Sequence, residues 1–273
     1  MTIDSTIKLN NNIEIPRFGL GVYLSKPGKK TFDAVTWAIE AGYRHIDTAK
    51  AYKNEGDVGK AIKESGIKRD EIFVTTKLWN EDQGYESALE AFDRSLDDLG
   101  FDYVDLYLIH WPVEKKRRES WRALEKIYSE GRAKSIGVSN YTIKHLKEMD
   151  SYAEVKPAVN QVEFHPFLFQ EDLLEYCRIK FIQLEAYSPL TKAERLDDQV
   201  INEIAGKYSK SAAQVMIRWS LQHDVVVIPK SVHKDRIIEN SEVYDFEITN
   251  EDMERLNSLN EDYRMAWDPT NVE

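Results

Sequence analysis

Polar and apolar positions along the chain alternate between two rhythms. Short, mostly apolar runs at 18–22, 44–47, 72–77, 104–110, 133–139, 158–162, 182–187 and 225–229 have the length of strands buried on both faces. Between them, apolar residues recur every three or four positions, the period of a helix with one buried face. Leu89, Phe92, Leu96 and Leu99 form one such stripe, and Gly100 is placed to end that helix in a left-handed cap. Trp121, Leu124, Ile127 and Tyr128 form another, with Gly131 as its stop. Seven runs lead into a clear helical stretch, and the eighth into one beginning near His233.

Eight strand–helix units in succession predict a closed (β/α)8 TIM barrel, which a chain of about 250 residues forms as one unit. Residues 1–273 are therefore expected to be a single barrel domain, with an extra C-terminal helix, and no Pro/Gly/Ser-rich stretch marks a boundary. Segment 7–15, turning at Asn10-Asn11-Asn12, predicts a β-hairpin ahead of the barrel, placed to plug its bottom. The competing architecture is an open doubly wound sheet, which carries a G-x-G-x-x-G turn after its first strand. Gly19-Leu20-Gly21-Val22-Tyr23 has no third glycine and opens no helix directly, so the barrel is preferred.

Composition narrows the picture further. Hydrophobic residues make up 42% and charged residues 31%, which suits a globular chain with a sizeable core. The formal net charge of −11 repels phosphate backbones, so no nucleic-acid partner is expected. The one basic run, Lys115-Lys116-Arg117-Arg118, reads as a solvated loop leading into a helix. The single Cys177 allows neither an intrachain disulfide nor a thiolate metal cage, and points to a reducing, cytoplasmic compartment. Met1-Thr2-Ile3-Asp4-Ser5 has no basic region ahead of an apolar run, so no signal peptide is expected. No apolar stretch approaches the roughly 18 residues of a membrane-spanning helix.

Active sites of such barrels lie at the C-terminal ends of the strands. The second run ends in His45-Ile46-Asp47 with Tyr52 in the following loop, the third in Thr75-Thr76-Lys77, the fourth in Ile109-His110-Trp111. Each of these residues alone has a structural explanation, as a cap, a strand exit or a packed ring. Four of them at three consecutive strand ends point to one site. Asp, Tyr, Lys and His together suit proton delivery to a carbonyl oxygen. A phenol keeps its proton at neutral pH, its reference pKa being about 10. A neighbouring ammonium stabilises the phenolate and lowers that value. On this reading Tyr52 is the general acid, Lys77 its activator and Asp47 the carboxylate that holds Lys77. His110 orients the carbonyl.

No side chain supplies hydride, so a bound reductant is required. After the eighth run, Lys230-Ser231 lead into a helix carrying Arg236, Glu239 and Asn240 on one face. Barrel enzymes often bind phosphate there. Lys230 and Arg236 could hold a 2′-phosphate, and Glu239 and Asn240 an adenine edge, which favours NADPH over NADH.

Seven stretches carry a family likeness. They are Gly42-Tyr43-Arg44-His45-Ile46-Asp47-Thr48-Ala49, Phe73-Val74-Thr75-Thr76-Lys77-Leu78-Trp79 and Asp105-Leu106-Tyr107-Leu108-Ile109-His110-Trp111-Pro112. Further on stand Ser135-Ile136-Gly137-Val138-Ser139-Asn140, Asn160-Gln161-Val162-Glu163, Ala186-Tyr187-Ser188-Pro189-Leu190 and Ile228-Pro229-Lys230-Ser231. In this order and spacing they resemble the aldo-keto reductase family almost end to end. The resemblance implies a (β/α)8 barrel and NADPH-linked reduction of aldehydes and some ketones by a commonly monomeric enzyme. It carries the catalytic tetrad onto Asp47, Tyr52, Lys77 and His110. It puts the nicotinamide against Ser139, Asn140, Gln161 and the ring of Tyr187, with Gly21, Val22 and Tyr23 at the same end. It sets the pyrophosphate near Ser188, Pro189 and Leu190, and the 2′-phosphate near Lys230, Ser231, Val232 and Arg236. Tyr23, Trp79, His110 and Trp111 would contact the substrate.

Two features depart from the family pattern. Thr191-Lys192-Ala193-Glu194 stands where glycine often follows Leu190. The segment after His110 and the tail after Asn260 are short, which suggests an open pocket like that of bacterial glyoxal, methylglyoxal or 2,5-diketo-D-gluconate reductases. Three alternatives remain: a barrel lyase using Lys77 as a Schiff-base nucleophile, a metal hydrolase, and a non-catalytic nucleotide-binding subunit. The six histidines form no H-x-H or H-E-x-x-H pair, so no metal is expected.

Overall fold

The computed structural model describes residues 1–272. Its strands are β1 (Thr6–Lys8), β2 (Glu14–Pro16), β3 (Leu20–Gly21), β4 (His45–Asp47), β5 (Phe73–Leu78), β6 (Leu106–Ile109), β7 (Ile136–Ser139), β8 (Val159–Glu163), β9 (Gln183–Tyr187) and β10 (Val226–Val227). The helices are α1 (Lys29–Glu40), α2 (Glu55–Glu64), α3 (Tyr85–Leu99), α4 (Arg117–Ser129), α5 (Ile143–Met149), α6 (Glu171–Lys180), α7 (Gln199–Tyr208), α8 (Ala212–Gln222), α9 (Lys234–Ser241) and α10 (Asn250–Asn257). Strands β3 to β10 are parallel and pair in chain order. The ends of this row meet. Phe18 bridges Val227, Gly19 N donates to Val227 O at 2.9 Å, and Gly21 N donates to Pro229 O at 3.2 Å. The sheet is thus a closed (β/α)8 barrel, which leaves no edge strand to protect.

Alternation along each strand decides which side chains face inward. On β6, Tyr107 and Ile109 join the large cluster packed against the helices, whereas Leu106 and Leu108 join a smaller cluster inside the barrel. That inner cluster also holds Phe73, Val226, and Leu9 and Ile15 from the hairpin. The hairpin pairs Ile7 with Ile15, and its turn is pinned by Asn10 Nδ2 to Pro157 O and Asn11 Nδ2 to Lys134 O, both at 3.0 Å. It therefore plugs the barrel bottom, as expected. Moving up the same inward positions, apolar residues give way to Thr75 and Lys77 on β5 and to Gln161 on β8. The barrel interior is graded from apolar at the plug to polar at the mouth.

The helical stripes lie where periodicity puts them, with Gly100 (φ 65°) and Gly131 (φ 72°) left-handed. Two differences stand out. The connection from β9 to β10 holds both α7 and α8, started by the side-chain caps Asp198 and Ser211. The basic run is only partly solvated: Arg117 is buried and donates to Glu148 Oε2 at 2.6 Å and Pro112 O at 3.3 Å. Its guanidinium ties the start of α4 to α5, while Lys115, Lys116 and Arg118 stay exposed. Among the described residues no helix is long and apolar enough to cross a membrane.

Candidate active site

The barrel mouth opens into a cavity of about 1220 Å³. That exceeds the upper end, about 1,000 Å³, of ordinary small-molecule pockets and leaves room for a dinucleotide and a small substrate together. Asp47, Tyr52 and His110 reach its wall, and Lys77 lies just beneath.

Lys77 is completely buried, and its ammonium donates to Asp47 Oδ1 at 2.6 Å, Asp47 Oδ2 at 2.7 Å and Thr48 O at 2.9 Å. Such a charge is tolerated in the interior only because it is paired and fully hydrogen-bonded. The Tyr52 hydroxyl lies 3.5 Å from the same nitrogen. The net shift of the Tyr52 phenol is nevertheless upward. Burial first, and then the negative charge of Asp47, hold the phenol well above its ordinary value. Tyr52 is thus a firmly protonated phenol at neutral pH. His110 is held well below the ordinary imidazole value by burial and then by Lys77, so it is neutral. Its ring packs edge-on against Tyr52 at 5.7 Å and Trp79 at 5.1 Å. Lys77 has no free amine and no face on the cavity, which leaves little for a Schiff-base lyase.

The remaining polar groups are tied to one another. Ser139 Oγ donates to Gln161 O at 2.8 Å, and Asn140 Nδ2 donates to His110 O at 2.9 Å and to Ser139 Oγ at 3.1 Å. Tyr187 Oη donates to Asn140 Oδ1 at 2.8 Å, placing the tyrosine ring on the cavity wall beside the amides. Gly21 admits a close approach: a β-carbon there would stand 2.9 Å from Ile228 O, across the seam that closes the barrel. The wall continues through Tyr23, Ser188, Pro189 and Leu190 to Lys230, Ser231, Val232, Arg236, Glu239 and Asn240. Lys234 pairs with Glu40 at 3.0 Å, but Lys230 and Arg236 pair with no carboxylate among the described residues. Burial and then Lys30 lower the pKa of Lys230. Two cations without a counter-charge at one end, and a tyrosine face with amides at the other, fit a phosphorylated dinucleotide. Val22 is the exception among the expected contacts, for its side chain is buried and absent from the cavity wall. Among the described residues no group of three His, Cys, Asp or Glu side chains is arranged to hold a metal ion.

Three features were missed in the sequence. Glu185 is fully buried and accepts from Gln161 Nε2 at 2.9 Å. Glu163 accepts from His165 Nε2 at 3.0 Å, Met265 N at 2.6 Å and Ala266 N at 2.9 Å. The tail held in this way brings Trp267 to 5.2 Å from Trp111, so it covers part of a pocket expected to be open. A carboxylate within a run that reads as a buried strand was the available signal for both glutamates.

A closed barrel whose mouth carries an Asp–Lys–Tyr–His group beside a cavity of this size is the arrangement that the sequence led one to expect of a carbonyl reductase. Residues 19–261 match the Aldo/keto reductase family, and the chain belongs to it. It is similar to the glyoxal reductase of Bacillus subtilis (strain 168), 53% identical over 98% of this chain and 97% of that protein. Among solved structures it resembles MGS-M4, an aldo-keto reductase from a Medee basin deep-sea metagenome library. The TM-score is 0.95 and the identity 46%, over 98% of this chain and 100% of that one. A Bombyx mori aldo-keto reductase in complex with NADP superposes with a TM-score of 0.90 at 36% identity, over 97% of this chain and 95% of that one.

Proposed function

We propose that the protein reduces small aldehydes and vicinal dicarbonyls of the glyoxal type to alcohols with NADPH, Tyr52 donating the proton. The observation that carries this reading is the position of the Tyr52 hydroxyl on the cavity wall, 3.5 Å from the ammonium that Asp47 clamps from below. The cofactor, when bound, supplies the hydride. Tyr52 holds its proton until the carbonyl oxygen gains negative charge. Lys77 is then the cation that takes up the new phenolate. His110, being neutral, can hydrogen-bond the carbonyl oxygen without competing as an acid. Trp79, Trp111 and Trp267 supply apolar wall on the substrate side of the cavity. Lys230 and Arg236 favour a 2′-phosphate, and the NADP complex of the Bombyx mori relative supports that choice. The same reading takes residues 1–273 as one domain acting as a monomer in the cytoplasm, where the lone Cys177 has no disulfide partner.

The test is to follow NADPH consumption with glyoxal, methylglyoxal and a panel of simple aldehydes, with NADH as control. Tyr52→Phe is expected to lose about 100-fold or more in turnover, while NADPH affinity stays within a few-fold. Substantial turnover in that variant would assign the proton to another donor.

A further inference from the structure

One carboxylate inside the barrel has no part in the scheme above. Glu185 on β9 stands directly opposite Gln161 on β8 in the strand register, one inward position below Tyr187. The Gln161 side chain has two N–H bonds and gives each to a carboxylate, Asp47 Oδ2 at 2.8 Å and Glu185 Oε2 at 2.9 Å. Its oxygen is thereby left as the atom free for the cavity. Glu185 Oε1 accepts no hydrogen bond and lies 3.6 Å from His45 Nε2.

The charges around Glu185 can be counted element by element. From β4 come Asp47 and His45, and His45 is neutral, pushed down to about 3 by burial and then by Lys77. From β5 come Thr75 and Lys77, whose ammonium is bound to Asp47. From β8 comes Gln161, uncharged, and from β10 Val226, the register partner of Glu185. Tyr52, above, keeps its proton. With Glu185 protonated, the set is neutral, one carboxylate against one ammonium. With Glu185 ionised, it holds one uncompensated negative charge just below Gln161 and Tyr187. A reduced nicotinamide ring is neutral, and an oxidised ring is positive.

We propose that Glu185 is a positioning residue that makes the site's preference between oxidised and reduced cofactor depend on pH. Protonated, it favours NADPH and carbonyl reduction; ionised, it favours NADP⁺ and alcohol oxidation. The inference rests on the nicotinamide reading of the cavity. Burial first, and then the charge of Asp47, push Glu185 up to about 8, so the change falls in an accessible range. Linkage requires the reverse as well: binding of NADP⁺ draws the proton off Glu185 into solution. Glu185 takes no part in the transfer itself, in which the carbonyl carbon gains the hydride and its oxygen the Tyr52 proton.

Fluorescence titration of NADP⁺ and NADPH between about pH 6.5 and 9.5 tests this without turnover. The 2′-phosphate is common to both forms and cancels from the ratio of affinities. In the wild-type protein that ratio is expected to move about tenfold toward NADP⁺ across the range, as one nearby buried charge implies. In Glu185→Gln, which keeps an acceptor for Gln161, it should stay flat. Near pH 8, wild-type protein in weak buffer should release more protons on binding NADP⁺ than NADPH, and the variant should not. A flat wild-type ratio, or the same slope in both proteins, overturns the proposal; the wild-type slope is informative even if the variant folds poorly. Failure of wild-type protein to bind either nucleotide would overturn the cofactor reading instead.

Discussion

Glu185 also sets a stability profile that a single substitution can expose. Its carboxyl is pushed up to about 8 in the folded chain, against about 4.3 when unfolded. Between those values the native state holds a proton that the unfolded chain has released, so stability falls as pH rises. The contribution is fully present below the unfolded value and lost as pH climbs through the folded one. Glu185→Gln has no such proton. Its melting temperature is expected to gain on that of the wild type from about pH 5 to pH 9. Parallel curves in thermal unfolding at several pH values would contradict the assignment. At the same scale, the sequence exposed Asp47, Tyr52, Lys77 and His110 because they are polar residues at strand ends. It did not expose the direction of the Tyr52 shift, since residue types do not say that the phenol is buried and faces the charge of Asp47.

Between elements, packing distances govern what the chain tolerates. Helix α2 crosses the end of α3 so closely that a β-carbon on Gly59 would stand 1.9 Å from Leu99 O. Backbone cannot rotate aside as a side chain does, so the two helices must separate. Gly59→Ala is expected to cost about 1–3 kcal/mol, measurable by urea unfolding. A cost below a few tenths would mean that the α2–α3 contact is looser than the structure has it. The alternation of strands and helices was legible because buried strands and one-sided helices have different apolar periods. The pair α7 and α8 was not, because both follow one strand with no apolar run between them to mark the break. Arg117 likewise looked like one of four solvated cations; only its position against α5 turned it inward.

For the molecule as a whole, a buried carboxylate is one of the groups that fasten the tail. Glu163 takes both Met265 N and Ala266 N, and Lys192 Nζ donates to Met265 O at 2.7 Å from the other side. Glu163→Ala removes the first of these clasps. The carbonyl KM should rise several-fold as Trp267 leaves Trp111, with NADPH affinity nearly unchanged, and trypsin should cut faster at Arg264. An unchanged KM together with unchanged cleavage would show that the tail is held by its other contacts.

Local chemistry and periodicity were sufficient for the barrel, the hairpin plug and the four strand-end residues, because each is written in the spacing of neighbouring positions. Tertiary structure alone decided the rest. Gln161 reaches Asp47 across 114 positions of sequence, and Glu185 joins them only because the closed sheet gives β4, β8 and β9 a shared interior. Burial among these elements raises Glu185, lowers His110 and holds Tyr52 above its ordinary value. Spacing along a chain carries no record of which charges will share a dry interior.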